Sequence, residues 1–557
     1  MSRHTEDDRG VKPVFYGHAC IKQYSSNGSA VLMDPWFSRH GAFFGSWFQF
    51  PENTPLLDEA LDGATDICVS HNHADHFDPE TLRYALSSNP SLKLHIPKYR
   101  TGWFLQRVYH FLPDFGERVV EHDPFERFTV ASDVSCFFVP EESPGEIDSA
   151  IICCAGGKTL VNLNDSRLNF EQLVQIRALA EGVDFLVLQG SGASEYPITY
   201  TYSDKDMRSR CLKKRRDKLN HCTKFIDLLD PERILFFAGP PVFLDESLGR
   251  FNEPGPASVF PDQLDIVREI ERERPAIAAR TLFLLPGDEF DDEYLWKVTD
   301  LKSKRLLPYT QKSEYLDSYR QQRRDTCTLD WGDPIDEELL LGYFNEMATC
   351  SPYMSEKIGG EVSFIVKGRS TIQAFTVDFA ARNARKGVSS HSLCTITAPA
   401  ASLRAVLEGT ATWDDILLSL RVVFDERVAS YIPHLKPLLR YMDTEVFVLL
   451  ERYERQFEDP ETEISFMEVM LGDDVFCIQR FCPHAGNDLQ YNGRVNDDGT
   501  ITCLAHRLCF DIKTGECVNA KGYRLKVRTQ DGYKVVGERP AVIRIDGKVI
   551  QKGAGRE

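Results

Sequence analysis

Two short segments near the carboxyl end of the chain each place a cysteine close to a histidine. One residue separates Cys482 from His484, and two residues separate Cys503 from His506. Two thiolates and two neutral imidazoles are the ligands of a 2Fe–2S cluster in which cysteines hold one iron and histidines hold the other. The same four ligands also suit tetrahedral zinc. The spacing therefore predicts a metal centre formed by two loops.

The sequence between these pairs favours the iron–sulfur cluster over zinc. Residues 485–502 include the turn-rich stretch NGRVNDDGT, which predicts a short strand out and a short strand back. Zinc fingers do not normally place their ligands as C-x-H followed by C-x2-H in a β-rich, glycine-turned segment. We interpret the four residues as the ligands of a Rieske 2Fe–2S cluster, which transfers single electrons.

The two ligand loops resemble those of Rieske oxygenases and their ferredoxins. High-potential Rieske proteins have an additional cysteine in each loop, and these two cysteines form a disulfide. Asn487 and Ala505 occupy the corresponding positions here. The resemblance implies a cluster of lower potential that passes its electron to a separate site of oxygen chemistry.

Composition narrows the class of protein. The 557 residues are enough for about three domains, and 42% hydrophobic with 27% charged residues is typical of a globular protein. A net charge of −19 argues against a nucleic-acid partner. The start MSRHTEDDRG lacks the features of a secretory signal, and no apolar run is long enough to span a membrane. The 15 cysteines have no paired spacing, which favours a reducing, cytoplasmic location.

The chain divides into three predicted regions. Residues 11–300 alternate short apolar runs with helical stretches, an α/β layered pattern. Residues 301–444 comprise a polar linker and a small α+β domain, and residues 445–557 form an all-β Rieske domain. The strands predicted in the first region are Ala30–Met33, Thr65–Val69, Ser149–Cys154, Lys158–Asn162, Phe185–Gln189 and Arg233–Ala238; its predicted helices are Phe170–Glu181 and Ser203–Leu229.

A histidine-rich loop follows the predicted strand Thr65–Val69. It contains His71, His73, Asp75 and His76 in the spacing H-x-H-x-D-H, the signature of the metallo-β-lactamase fold, an αββα sandwich. Imidazoles two residues apart can converge on one metal from an extended loop, and the following aspartate and histidine can reach a neighbouring metal position. The alternative is a polar surface loop that happens to be rich in histidine.

The other ligand positions of that fold are only partly filled. Asp165 can supply the bridging carboxylate, although it can also cap the helix that follows. The segment VPEESPGEID lacks the third-motif histidine of this fold, and Glu141, Glu142 and Glu146 are its candidate substitutes. The fifth-motif histidine, expected after the strand Ile234–Phe237, is also absent. Two imidazoles and one carboxylate suit a mononuclear non-haem Fe(II), with zinc as the alternative.

Several stretches resemble the CMP-N-acetylneuraminate hydroxylases. That family joins a Rieske domain to a metallo-β-lactamase-fold domain and hydroxylates the N-acyl group of a nucleotide sugar. Its Rieske domain comes first, whereas here it comes last, so the resemblance implies a relative with a different domain order. The matching stretches are Tyr16–Ala19, Leu32–Trp36, Pro51–Asp58, Ser70–Phe77, Asn162–Asp165, Phe237–Pro240 and Thr412–Arg421.

Together these features predict a Rieske-dependent non-haem iron oxygenase, either a hydroxylase or an N-oxygenase. Asp75, His76 and Asp165 are its predicted catalytic residues. The chain has no G-x-G-x-x-G after a strand, so we expect electrons from NAD(P)H to arrive through a separate reductase or ferredoxin. We expect a small-molecule substrate, such as a nucleotide sugar or an amine. Rieske oxygenases commonly pass electrons between subunits, which predicts a homo-oligomer.

Two other classes of function fit the same residues. The first is a phosphodiesterase- or lactonase-type hydrolase with Asp75 as general base and the Rieske domain as a redox regulator. The second is a non-catalytic electron carrier.

Four smaller features of the sequence also bear on function. His18 lies beside the metal or in the core, and Asp34 forms a turn before Pro35. The basic stretch Lys205–Lys218 is a solvated helix face, a clamp for phosphate or carboxylate, or a docking face for an electron donor. The region 331–444, which weakly resembles a lipid-carrier module, is a lid, a spacer or an oligomer contact.

Overall fold

The computed structural model describes most of the chain. The described residues are 12–145, 148–180, 182–192, 194–237, 239–253, 258–426, 432–458, 463–472, 474–505 and 507–528, with the short strands Val542–Ile543 and Val549–Ile550. Two residues of the sequence analysis, Glu146 and the predicted cluster ligand His506, lie outside the described residues.

The first region is a sandwich of two seven-stranded sheets. The first sheet has the order Asp288–Glu289, Val14–Gly17, Cys20–Tyr24, Ala30–Met33, Ala64–Cys68, Lys93–Pro97 and Val119–His122. The second has the order Thr281–Leu282, Arg233–Phe237, Phe185–Gln189, Lys158–Asn162, Ser149–Ala155, Val134–Pro140 and Phe128–Val130. All six predicted strands are present, with ends within one residue of the prediction.

Helices cover the outer faces of both sheets, which makes four layers. Leu82 and Phe104 pack on the first sheet, and Leu219 and Ile266 pack on the second. Because both faces are covered, a strand such as Ala30–Met33 is apolar throughout and buried throughout. The predicted αββα sandwich is therefore confirmed. Its helices are Leu57–Leu61, Pro79–Ser88, Trp103–Phe111, Phe170–Ala180, Asp204–Leu229, Gln263–Glu273 and Pro275–Ala278.

The polar segment 301–330 is not an extended linker. It forms the helices Leu307–Thr310 and Lys312–Gln322, whose apolar side chains pack on the sandwich. Leu316 and Tyr319 are three residues apart and lie on one helix face, so the many polar residues around them occupy the solvent side. The polar composition of the segment as a whole gave no indication of this narrow apolar face.

The middle region is a five-stranded sheet covered by helices. The strand order is Asn383–Lys386, Ile372–Asp378, Glu361–Lys367, Cys394–Pro399 and Val423–Glu426. Phe447 and Leu450 of the last helix belong to its core, so this unit extends past residue 444. Its helices are Glu337–Thr349, Pro352–Ile358, Ala400–Leu407, Trp413–Leu418, Leu435–Tyr441 and Thr444–Arg455.

The C-terminal region is built from two small sheets and packs on the sandwich. One sheet has the order Val527–Arg528, Asp474–Gln479, Phe466–Leu471, Val542–Ile543 and Val549–Ile550, and the other has Gly493–Val495, Thr500–Cys503 and Cys509–Asp511. A short helix, Leu489–Asn492, precedes the second sheet. Arg494 pairs with Asp217 at 2.9 Å, and the rings of Tyr491 and Phe170 stack. No helix in the described ranges is both long and apolar enough to cross a membrane.

Candidate metal centres and the cavity between them

Hydrogen bonds fix the histidine-rich loop at the end of strand Ala64–Cys68. The Ser70 backbone N–H donates to Asp34 Oδ1 at 2.7 Å, and the Ser149 hydroxyl donates to the Ser70 carbonyl at 2.6 Å. The His76 N–H donates to the His73 carbonyl at 2.9 Å, which turns the chain back on itself. The loop therefore directs its side chains into the space between the two sheets.

Three side chains form one half of a metal centre. His71 Nε2 lies 2.8 Å from His73 Nδ1, and Asp148 Oδ1 lies 3.5 Å from His71 Nε2 and 4.0 Å from His73 Nδ1. The buried Asp148 Oδ1 accepts no hydrogen bond from any described residue. A carboxylate oxygen buried without a donor is costly unless a cation satisfies it, so these three ligand atoms fit a metal ion.

A second group lies beside the first. His76 Nε2 is 3.8 Å from Asp75 Oδ2 and 3.9 Å from Asp165 Oδ1. His76 Nε2 is buried and has no hydrogen-bond partner in the described part of the chain. Asp165 also groups with His71, which puts its carboxylate next to both halves. His18 Nε2, 2.9 Å from Asp75 Oδ2, completes this second group.

Neighbouring oxygens orient the histidines of this centre. Ser70 Oγ lies 2.8 Å from His71 Nδ1, and Asp34 Oδ2 lies 3.1 Å from His76 Nδ1. Metal-binding histidines usually bond through their second nitrogen to such a partner, which fixes the ring. Asp34 thus does more than form the turn before Pro35: it also holds a predicted ligand.

The middle region supplies a hydrogen-bond partner for His73. Asp414 Oδ2 lies 2.9 Å from His73 Nε2, and Asp414 Oδ1 accepts a hydrogen bond from Arg440 Nε at 2.8 Å. The sequence analysis did not identify Asp414, because 341 positions separate it from His73. The region 331–444 therefore contributes directly to the environment of the metal centre.

Asp148 is the ligand candidate that the sequence analysis missed. It is the last residue of VPEESPGEID, where only the glutamates were considered as substitutes for the absent histidine. Glu142 instead accepts a hydrogen bond from Asn169 Nδ2 at 2.8 Å. Glu141 lines the cavity, and burial together with the charge of Asp148 raises the pKa of Glu141 to about 7.

The pKa values of the three loop histidines diverge. Burial and the nearby His76 and His73 hold the pKa of His71 well below its usual range. Burial also opposes protonation of His76, but the charges of Asp75 and Asp34 outweigh it and raise the pKa to about 10. Asp414 similarly raises the pKa of His73 to about 9 against the effect of burial. A metal ion that binds here must displace the protons of His73 and His76.

We expect Asp414→Asn to weaken metal binding without unfolding the domain. The amide cannot stabilise the imidazole as the carboxylate does, and loss of such a partner costs roughly 10–100-fold in metal affinity. Competition with a chelator, followed by metal analysis, measures this change. Asp425→Asn is the control because Asp425 is an exposed carboxylate of the same region. Equal affinities for the two variants would contradict the role of Asp414.

The other predicted centre lies at the tips of two turns in the C-terminal region. Cys482 and Cys503 are buried with their thiols in contact, and the backbone N–H groups of His484 and Ala485 donate to the Cys482 sulfur. Gly486 has φ +72, and a Cβ there would lie 3.0 Å from the ring of Tyr453. Only glycine fits this turn easily, so the loop geometry depends on it.

One cavity is lined by residues of the first metal site and of the two cluster loops within a single chain. It has a volume of about 1070 Å³. His73, Asp148 and Asp165 line it on the sandwich side, and Ala485, Asn487, Leu504 and Ala505 of the two cluster loops line it on the other side. Both centres of one chain thus border the same space, so a route for electrons inside one chain is an alternative to the route between subunits. Homo-oligomer formation itself stays a prediction.

The basic stretch of helix Asp204–Leu229 forms one wall of this cavity. Arg210, Lys213, Lys214 and Lys218 line it. Lys214 Nζ donates to Ser194 Oγ at 2.8 Å and to the Tyr196 carbonyl at 2.7 Å. Burial and the nearby Arg507 guanidinium hold the pKa of Lys214 well below its usual range. This part of the stretch is not simply a solvated helix face.

Comparison with known families agrees with this architecture. Residues 440–549 match the Rieske 2Fe-2S domain, and residues 29–235 match the beta-lactamase superfamily domain. The chain joins a metallo-β-lactamase fold to a C-terminal Rieske domain. A 2Fe–2S cluster is therefore its C-terminal cofactor, and the His/Asp groups of the first domain are its second metal-binding site.

Two mycobacterial relatives match this chain over nearly their whole length. A protein of Mycolicibacterium smegmatis named as a Rieske 2Fe-2S iron-sulfur protein is 28% identical over 92% of this chain and 98% of its own. Its counterpart Rv3818 in Mycobacterium tuberculosis is 27% identical with the same coverage. The cytidine monophosphate-N-acetylneuraminic acid hydroxylase of Xenopus laevis is 26% identical over 41% of this chain and 38% of its own.

Solved structures resemble parts of the chain. CmlA, a diiron beta-hydroxylase from Streptomyces venezuelae, has a TM-score of 0.33 and 15% identity and covers 50% of this chain and 54% of its own. A diphosphatase of the PhnP family has a TM-score of 0.29 and 15% identity and covers 53% of this chain and 90% of its own.

Proposed function

We propose that the protein is a Rieske-dependent iron oxygenase that hydroxylates a small anionic molecule. The observation that carries this proposal is the shared cavity, lined by His73, Asp148 and Asp165 on one side and by both cluster loops on the other. A substrate in this cavity contacts the metal centre, while electrons enter from the cluster side. A cavity lined by both regions is what such a function requires.

The residues of the first domain fit a dinuclear iron centre better than the mononuclear one predicted from the sequence. His71, His73 and Asp148 form one group, and Asp75, His76 and His18 form the other, with Asp165 placed against both. Carboxylates and histidines in such numbers are the ligands of di-iron proteins. Iron bound here supplies the activation of dioxygen.

Residues around the metal ligands position protons and charge. Gln189 Nε2 donates to Asp165 Oδ1 at 2.7 Å, and Lys218 donates to Gln189 Oε1 at 2.8 Å, which fixes the orientation of the Asp165 carboxylate. Glu141 borders the cavity with a pKa raised to about 7 by burial and by the Asp148 charge. A carboxyl group with this pKa can hold or release a proton near neutral pH.

The basic wall supports an anionic substrate. No carboxylate among the described residues lies within ion-pairing distance of Lys213, Lys214 or Lys218, in a chain whose net charge is −19. Basic side chains on a cavity wall that are not engaged in direct ion pairs favour binding of a phosphate or carboxylate. The similarity to a hydroxylase of a cytidine monophosphate-linked sugar agrees with this class of substrate. A separate reductase or ferredoxin would supply the electrons.

A hydrolase is the second candidate function. Two adjacent half-sites with a shared carboxylate are also the arrangement of two-metal hydrolases, in which Asp75 would act as general base. In that case zinc would occupy the first domain and the Rieske cluster would regulate it. The identity of the metal separates the two functions.

We expect the purified full-length protein to contain about four irons per chain, two of them in the cluster. Zinc is expected to be absent after anaerobic purification from iron-supplied cells. Elemental analysis measures this, and electron paramagnetic resonance of the reduced protein counts the cluster separately. Two zincs beside two irons would contradict the oxygenase and favour the hydrolase. Three irons would indicate a mononuclear iron centre in the first domain.

A further inference from the structure

A buried polar network lies against the cluster ligand His484. It consists of Tyr353 and His434 from the middle region, Glu454 at the end of helix Thr444–Arg455, and Tyr523 of the Rieske domain. Glu454 is 7% exposed, His434 is 1% exposed and His484 is fully buried. No residue of this network takes part in the function proposed above.

Glu454 is the centre of the network. Its carboxylate accepts a hydrogen bond from the Tyr353 hydroxyl and lies 3.0 Å from His434 Nε2. The Tyr523 hydroxyl is 3.3 Å from Glu454 Oε2 and 2.8 Å from His434 Nε2. A buried carboxylate is costly to desolvate, and these three partners compensate part of that cost.

The same carboxylate faces the cluster ligand. Glu454 Oε1 lies 3.7 Å from His484 Nε2. His484 therefore directs Nε2 toward Glu454, which leaves Nδ1 as the nitrogen available to iron. The His484 ring thus lies between its ligand loop and the buried Glu454 carboxylate. The helix that carries Glu454 packs in the core of the middle region.

Charge near a redox centre changes its reduction potential. Reduction adds one electron to the cluster, so a nearby negative charge disfavours the reduced state. The effect is stronger in a buried site than in water, because the surroundings screen charge poorly. An imidazole ligand transmits this effect to the iron that it binds.

We propose that Glu454 is a positioning residue of the cluster, which faces the remote nitrogen of His484 and lowers the reduction potential through its charge. His434 and Tyr353 complete this arrangement. Through Tyr353 and His434, the middle region then helps to set how readily the cluster accepts an electron. A lower potential makes the reduced cluster a stronger donor to the metal centre of the first domain.

The test is a redox titration of the full-length protein, followed by electron paramagnetic resonance. Glu454→Gln keeps the size and hydrogen-bonding capacity of the side chain and removes the charge. We expect it to shift the one-electron equilibrium toward the reduced cluster by about tenfold, which is about 59 mV to higher potential. Glu454→Asp keeps the negative charge but places it farther from His484, because the side chain is one methylene shorter. The potential of this variant is expected to lie between those of the wild type and Glu454→Gln.

Glu451→Gln is the matched control. Glu451 lies one turn away on the same helix and pairs with Arg455 at 2.7 Å instead of facing the cluster. The control is expected to retain the wild-type potential. Equal potentials for Glu454→Gln and Glu451→Gln would overturn the proposal, and so would equal potentials for Glu454→Asp and Glu454→Gln. Should Glu454→Gln fail to retain its cluster, a wild-type potential for Glu454→Asp would be equally decisive against it.

Discussion

Replacing Asp148 with Asn is expected to remove one of the two non-cluster irons and to leave the Rieske signal intact. The amide has almost the size of the carboxylate but no charge, so the group formed with His71 and His73 loses its anionic ligand. Loss of a direct ligand should exceed the roughly 10–100-fold effect of changing an outer partner. Iron analysis after gel filtration measures the loss, and the oxygen-dependent reoxidation of the reduced cluster should slow by more than about 100-fold.

Glu142→Gln is the control for this experiment. Glu142 lies in the same segment of the chain, but its carboxylate accepts a hydrogen bond from Asn169. It should keep both irons and the wild-type rate of reoxidation. An Asp148→Asn protein with full iron content would show that Asp148 is not needed to hold the metal at His71 and His73.

The sequence was most informative where ligands lie close together in the chain. His71, His73, Asp75 and His76 lie within six consecutive positions on a loop after a strand, so their convergence follows from local geometry. Cys482 and His484 are fixed in the same way by one tight turn. Strands buried on both faces are continuous apolar runs, which is why the sandwich was predictable as well.

The rest of the site depends on contacts that no local pattern contains. Asp148 occupies a position where the fold usually has a histidine, and a single aspartate after a glutamate-rich segment gives no distinct signal. Asp414 reaches His73 across 341 positions, and His434 reaches Tyr523 across 89. Such pairs follow from domain packing, which composition and periodicity do not determine.

The packing of the middle region also changes the expected route of electrons. Lys436 and Arg440 line the cavity next to the metal centre, and Tyr353 and Glu454 hold the network beside the cluster. The region that intervenes in sequence is thus the element that brings the two centres together in space. A route between subunits is not needed to explain the arrangement.

We therefore expect two inactive variants not to restore each other. Cys482→Ser lacks a cluster ligand, and His71→Ala lacks a metal ligand of the first domain, so each variant retains only one centre. Because the cavity beside the metal site of a chain is lined by the cluster loops of the same chain, a mixture should contain no cavity with both centres intact. The measurement is the oxygen-dependent reoxidation of the reduced cluster in the mixture, compared with the sum of the separate variants.

Two controls make this result interpretable. Differently tagged chains, purified as mixed assemblies, test whether the two variants associate at all. A wild-type chain mixed with either variant should retain the activity of its own intact pair of centres. Recovery of fast reoxidation in a verified mixed assembly would show that electrons cross from one chain to another. The cluster loops that line a chain's own cavity would then not be its functional donors, and the intrachain route would be wrong.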